Sequence, residues 1–502
     1  LEYFFQAARK AIALENPDRV VKNVEGDYDP PTLEGLPDFH CYCMWYTNHA
    51  VPLGKLHKGY LAAVKRGWKV TCGEYGTEGL DNHEVMINHY PREWLPSDEN
   101  QRWHPDRIVR AQTYLMHGDW FPEQYRIKDW ITASEKHQAL AAKLMTDAFR
   151  RRSDLLTGTA IHLLIDAWPA GWMKALVGVD RVPKPAYFAY QKSLVPVRVN
   201  LRTDRLRVYG GETFEVESWI LNDTVTKDQG KIVVTIRDDA KDYESFAQEC
   251  AIEPVTAVYT GSIRFKVPNL PDRSRLYLDA VLIDSCGRKV NQERLTLTVF
   301  DSNTGRAGLE NERTAYLGDG ASRILRRLGL EAEEYQNGSC PDVIVGSSIE
   351  AINLHQEQLS SQINRGAHLI LIRENDQPLE VELLGHKFTS RSMTPVYFAA
   401  VNSEAQVMQQ FTADDFAYWY NAEKDMIDFT ADSHIIGNGL VPLVFTYRKK
   451  HEPGADGKAK LPIVGTMGIG SGRLTLCSLP LSGKVGFNPA LDRLLLALIQ
   501  QE

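Results

Sequence analysis

Lys69-Val70-Thr71-Cys72-Gly73-Glu74-Tyr75-Gly76 is an apolar strand that ends in a carboxylate and breaks at glycine. In a parallel sheet with helical crossovers, a carboxylate so placed stands at the C-terminal mouth of the strands, where barrel enzymes keep their active sites. Glu74 is therefore the leading candidate for chemistry, and an ion-paired glutamate at a strand end is the alternative. The flanking strands add to the case. The one before, 39–46, carries His40, Tyr42, Trp45 and Tyr46, and the one after, 159–167, runs into Asp166, Ala167 and Trp168. Three successive strand ends thus offer carboxylates, hydroxyl and imidazole groups, and flat aromatic faces. Aromatic faces match the C–H surface of a sugar ring, and acids, His and Tyr match its hydroxyls. Each of these residues alone would serve equally well in a core; their coincidence at one end of three strands points to carbohydrate.

Outward from this segment, residues 1–14, 53–66, 134–152 and 185–193 have helical spacing of apolar residues, and 19–24 suits a short strand. Helices alternating with strands predict an α/β region with a parallel sheet over 1–196. The pattern then changes. Segments 206–209, 213–221, 230–237, 261–267, 274–284 and 294–300 alternate as strands, with turns at Gly210-Gly211, Asn222-Asp223 and Pro268-Asn269, so 197–302 is expected to be an antiparallel β-sandwich. From 303 to 502 helices (321–328, 354–364) alternate with buried strands (343–345, 368–372), and a glycine-rich hairpin over 461–479 precedes a closing helix at 489–500. That is the rhythm of a doubly wound sheet.

The 502 residues allow roughly three domains at about 150 residues each. Hydrophobic residues make up 43% and charged residues 24%, ordinary for a globular chain, and no apolar run reaches the 18 or so residues of a membrane helix. The formal charge is -8, from 57 basic and 65 acidic residues, and no window is basic enough for a nucleic-acid groove, so neither a membrane nor nucleic acid is expected as a partner. Seven scattered cysteines without a CxxC pair form no disulfide framework and read as free thiols. From Leu1 onward no basic segment followed by an apolar run reads as a signal peptide, and the compartment is left open.

Three stretches resemble the second half of the catalytic barrel of family 2 glycoside hydrolases, the family of β-galactosidases, β-glucuronidases and β-mannosidases. They are Asp38-Phe39-His40-Cys41-Tyr42-Cys43-Met44-Trp45-Tyr46, Cys72-Gly73-Glu74-Tyr75-Gly76 and Asp180-Arg181-Val182-Pro183-Lys184-Pro185-Ala186-Tyr187. The resemblance implies a (β/α)8 TIM barrel whose strands five to eight lie in 1–196. It makes Glu74 the nucleophile of a retaining mechanism, Tyr42 its hydrogen-bonding partner, and His40, Trp45, His162 and Trp168 sugar-binding residues. Where the family carries a stacking tryptophan, this chain has His162. The acid/base glutamate of the family is expected upstream of Leu1, so that the N-terminal part of the same protein, or a second chain, would complete the barrel. The sandwich is then expected to be immunoglobulin-like. Residues 303–502 are similar to the flavodoxin-like domain, related to class I glutaminases, of some β-galactosidases, without a catalytic cysteine set.

The long stretch 76–130 carries Trp94, Trp103, His104, His117, Trp120, Tyr125 and Trp130, which suit either a lid over the sugar or a small satellite core. Glu78, Asp81 and Glu84 could bind hydroxyls or a divalent cation, yet no spacing defines a metal site and no organic cofactor is expected. The expectation is a retaining exo-β-glycosidase acting on terminal sugars and assembled as a homo-oligomer. The alternative is a non-catalytic carbohydrate-binding or assembly subunit with a barrel shell.

Overall fold

The computed structural model describes residues 2–18, 21, 39–44, 52–59, 70–109, 120–171, 173–306, 309, 312–373, 377–447 and 459–500. The strand expected over 19–24, the end of the helix expected over 53–66, Trp45 and His117 lie outside them, as do the side chains of His40 and Tyr42. Among the described residues no helix is long and apolar enough to cross a membrane.

Strands β1 (Phe39–Met44), β2 (Val70–Gly76) and β3 (Leu156–Ile161) form a parallel sheet in that order. The helices of this region are α1 (Glu2–Glu15), α2 (Leu53–His57), α3 (His83–His89), α4 (Ile127–Arg151) and α5 (Pro185–Ser193). Val70, Cys72 and Tyr75 of β2 share a core with Ala141, Met145 and Phe149 of α4. Helix α4 starts at Ile127 rather than 134 because Ile127, Trp130 and Ile131 continue its apolar stripe into a second core.

One boundary corrects the expectation. β3 ends at Ile161, not at 167, so Asp166 and Trp168 lie beyond the strand. The chain turns at His162 and its hydrogen bonds change partner: Leu176 and Val177 donate backbone N–H groups to the carbonyls of Leu163 and Leu164. The apolar run Leu163-Leu164-Ile165 has strand composition, but Leu164 and Ile165 are solvent-exposed.

Eight strands follow: β4 (Val197–Arg202), β5 (Arg207–Tyr209), β6 (Thr213–Asn222), β7 (Asp228–Arg237), β8 (Asp242–Ile252), β9 (Thr256–Lys266), β10 (Ser274–Asp284) and β11 (Lys289–Phe300). They make two sheets, β4-β6-β9 and β5-β11-β10-β7-β8. Val199, Phe214 and Ile263 of the first pack with Ile232, Leu278 and Leu297 of the second in one core. β4 and β8 were not anticipated. β4 alternates Val197, Val199 and Leu201 with Arg198, Asn200 and Arg202, so its period-2 pattern was there to be read; its polar face is buried as well, and β8 lies at a sheet edge with about half of its residues in solvent.

The last region is built on an eight-stranded mixed sheet. Strands 333–334, Thr314–Leu317, Val343–Gly346, His368–Ile372 and Gly472–Cys477 are parallel, and Lys460–Ile469, Val441–Tyr447 and Ala400–Val401 extend the sheet antiparallel. A small antiparallel sheet of Glu380–Leu383, His386–Val396 and Ala431–Ile436 sits beside it. The chain as a whole is sheet-rich and mixed, with more antiparallel structure here than a doubly wound rhythm implies.

The regions are joined by charge and by ring contacts. Asp147 and Lys143 of α4 meet Arg198 of β4 and Glu293 of β11 at 2.7–3.0 Å. Trp120 stacks on Tyr397 with centroids 4.9 Å apart and planes 8° from parallel. Arg493, in the helix Pro489–Ile499, forms an ion pair with Asp272.

Candidate active site

β2 divides its side chains between two tasks. Tyr75 turns toward α4, where its hydroxyl meets Thr146 Oγ1 at 2.9 Å and its ring stands edge-on to Phe149, 5.0 Å away. Burial holds that phenol well above its ordinary pKa. Glu74 is only half-buried, at the C-terminal end of the central strand, and its register partner on β1 is Tyr42. On the other side, His162 leaves β3 with its backbone N–H bonded to the Tyr75 carbonyl at 3.0 Å.

Two of the bases around Glu74 have shifted pKa values. Burial lowers the His162 pKa, Lys174 lowers it further, and the carboxylates of Glu74 and Asp166 oppose the shift. Lys174 is 3% exposed; burial lowers the pKa of its ammonium group against the pull of Glu78 and Glu74. A carboxylate, an imidazole and a buried ammonium group thus act on one another at the mouth of three parallel strands.

Beneath them the 77–81 turn is strapped down on all sides. The Gln138 amide of α4 donates to the carbonyls of Thr77, Lys174 and Ala175, at 3.2, 3.0 and 3.2 Å. Gly79 N–H donates to the Met173 carbonyl, and Lys184 Nζ donates to the Gly79 carbonyl at 2.7 Å. Asp81 is 1% exposed; it accepts from the Tyr90 hydroxyl at 2.8 Å and the Ala170 N–H at 3.0 Å, with Lys184 Nζ 3.7 Å away. Asp81 is therefore spent on holding the turn to 170–184, while Glu84 is exposed in the first turn of α3. Among the described residues no group of three potential ligands could hold a metal ion.

Of the residues singled out in the sequence, His162 sits beside Glu74. Tyr42 and His40 share β1, with Tyr42 opposite Glu74 and His40 opposite Thr71. Trp168 is 60% exposed, and its Nε1 lies with Asp166 Oδ1 against Gly171, where there is no side chain to displace them. The aromatic stretch is mostly core: Trp103 and Trp130 are fully buried and donate indole N–H groups to the carbonyls of Trp94 and Trp103. Lys174, Lys184 and Gln138 were not foreseen. Lys184 lies in the Arg181-Val182-Pro183-Lys184-Pro185 motif, which is the one signal that could have found it.

No protein-family model matches the chain, and no curated protein matches it. Among solved structures it is similar to the β-D-mannosidase from Dictyoglomus thermophilum, at 17% identity and a TM-score of 0.36, over 51% of this chain and 30% of that one. It is also similar to the exo-chitosanase CsxA from Amycolatopsis orientalis, at 13% identity and a TM-score of 0.35, over 53% of this chain and 30% of that one. The chain therefore spans less than a third of the length of either protein.

Proposed function

We propose that the chain is the C-terminal part of a retaining exo-β-glycosidase of the family 2, β-galactosidase-like type, in which Glu74 attacks the anomeric carbon. The observation that supports this best is the setting of Glu74: a half-buried carboxylate ending the central strand of a parallel sheet, opposite Tyr42 in register and electrostatically coupled to His162 and Lys174. Retaining chemistry uses two carboxyl groups about 5 to 5.5 Å apart, one attacking and one protonating the leaving oxygen. The second is assigned to a glutamate upstream of Leu1. In this reading β1, β2 and β3 belong to the second half of a TIM barrel within 1–196, and the N-terminal part of the protein or a second chain supplies the first half. Residues 197–302 are an immunoglobulin-like sandwich, and 303–502 a flavodoxin-like accessory domain. His40, Tyr42, Trp45, His162 and Trp168 bind the sugar and its carboxylate neighbour, no cofactor takes part, and the protein works as a homo-oligomer.

In each cycle the Glu74 carboxylate forms a glycosyl ester with inversion, and water then attacks the same carbon with a second inversion. The Lys174 ammonium group, held in a poorly solvated position, favours the carboxylate that is released when the ester breaks. A panel of 2-deoxy-2-fluoro glycosyl fluorides on the full-length protein, followed by peptide mapping, tests the assignment. The expected result is one sugar adduct on the peptide carrying Glu74, absent in Glu74→Gln, whose turnover falls by about 10³-fold or more. Binding of sugars without any adduct or turnover would overturn it in favour of a non-catalytic carbohydrate-binding subunit.

A further inference from the structure

A second site lies in the last region, far along the chain from Glu74. A cavity of about 100 Å³ opens at the C-terminal ends of the parallel strands Thr314–Leu317, Val343–Gly346, His368–Ile372 and Gly472–Cys477. Gly320, Ser347, Arg373 and Ser482, each just past one of these strands, line it with Arg327 and Glu423. In open α/β sheets this end of the strands is where ligands bind.

The chemistry of the lining is set by Arg373, which is 8% exposed. A guanidinium group has five N–H donors and requires acceptors when buried. Here Nη2 donates to Asp432 Oδ1 at 2.6 Å, Nε is buried without an acceptor, and among the described residues Nη1 has none either. Arg323 and Arg327 also line the cavity and add positive charge; among the described residues the one Arg327 donor with a partner is Nη1, to the Val485 carbonyl at a long 3.5 Å. The helix Asp319–Arg327 begins at the cavity, and its Ala321 N–H is capped by Ser347 Oγ at 3.0 Å, which orients that hydroxyl. The acids facing these groups are Asp432, already paired with Arg373, and Glu423, whose carboxylate accepts from Ser482 Oγ at 3.0 Å. A buried arginine with one carboxylate and free donors is completed by a second oxyanion, and Glu423 at the rim suits a hydroxyl on the same ligand.

We infer that this cavity is a binding site for a small oxyanion, a phosphate or the carboxylate of a hydroxylated acid, with Arg373 as its anchor. The volume suits a small ligand and falls well below that of a pocket for a drug-sized one. The test is isothermal titration of the whole protein with inorganic phosphate, with D-glucuronate and, as a neutral control, with D-glucose. The expected result is binding of at least one anion that the Arg373 and Arg327 variants weaken, while any binding of glucose, at the sugar site near Glu74, is the same in parent and variants. Arg373→Lys, which keeps the charge and the Asp432 pair but loses the planar fork, should weaken the anion about tenfold, and the exposed Arg327→Gln about threefold. Binding of phosphate alone or of glucuronate alone decides which oxyanion the site takes. No anion binding up to about 10 mM, near the floor of measurable affinity, would overturn the inference. So would unchanged affinity in both variants, since anions bound at the sugar site near Glu74 would not respond to either. If Arg373→Lys does not fold, the Arg327→Gln result decides alone.

Discussion

Asp147 shows what a single residue contributes at a junction between regions. It is buried on α4, and burial alone would raise its pKa, but Lys143, Arg198 and Arg151 outweigh that and hold its carboxyl well below the usual range. Arg198 donates to Asp147 and Glu293 at 2.8 and 3.0 Å from a nearly solvent-free position. Replacing Arg198 by Met removes the buried one of the two cations shared by Asp147 and Glu293, leaving only the half-exposed Lys143, and breaking a buried pair costs about 3–5 kcal/mol. Urea unfolding of Arg198→Met at neutral pH should show that loss, and a change under about 1 kcal/mol would mean the network is only decorative. β4 itself carries a strand's alternation in Val197, Val199 and Leu201, but the burial of Arg198 and Asn200 on its other face was not legible, because their partners Asp147 on α4 and Glu293 on β11 are distant in sequence. The position of Glu74 at a strand end was legible because strand, carboxylate and glycine break are consecutive in sequence. Lys174 was not, because its relation to Glu74 exists only after the segment following His162 has folded back.

At the scale of elements, composition was a good guide to where strands and helices exist and a poor guide to where they stop. The strands His368–Ile372 and Ser274–Asp284 and the helix Pro185–Ser193 have the bounds their apolar patterns predict. β3 does not, since the backbone bonds that end it are made to 176–177, residues whose pairing no local pattern announces. Packing between elements leaves its own trace in the small residues. A Cβ on Gly54 of α2 would strike the carbonyl oxygen of Ile427, in the strand Met426–Asp428, so only glycine lets the two approach. The collision is with backbone and cannot be relieved by a rotamer change, so Gly54→Ala should destabilise the protein by about 1–3 kcal/mol despite the gain in helix propensity. A melting temperature equal to or above that of the parent would show that α2 and this strand separate easily.

For the whole molecule, buried histidines set the response to acid. Burial pushes the pKa of His137 and of His368 down to about 3, so both are neutral in the fold. Once unfolded they titrate near 6.5, and between those limits the unfolded chain binds the extra protons, so stability falls as pH falls from about 6.5 towards 3. At pH 5 each contributes a loss of about 2 kcal/mol, at about 1.4 kcal/mol per unit. Asp492 works the other way: burial pushes its pKa up to about 6, the folded state binds its proton first, and it returns about 1 kcal/mol between pH 6 and 5. Asp147 stays out of this window, because a depressed carboxyl loses stability only below its unfolded pKa, near 3.8. These three groups together give a net loss of about 3 kcal/mol between pH 7 and pH 5; His57, His104 and His162, also lowered by burial, add to the loss and Glu135, raised by burial, opposes it, and the sum is measurable by urea unfolding at the two values. In His137→Gln the stability at pH 7 is expected to change for packing reasons, since the ring lies against Trp120 and Phe121. The difference between pH 7 and pH 5 should shrink by about 2 kcal/mol whatever that change is, because the titrating group is gone. A pH difference that stays the same would mean that His137 already has access to protons in the folded state.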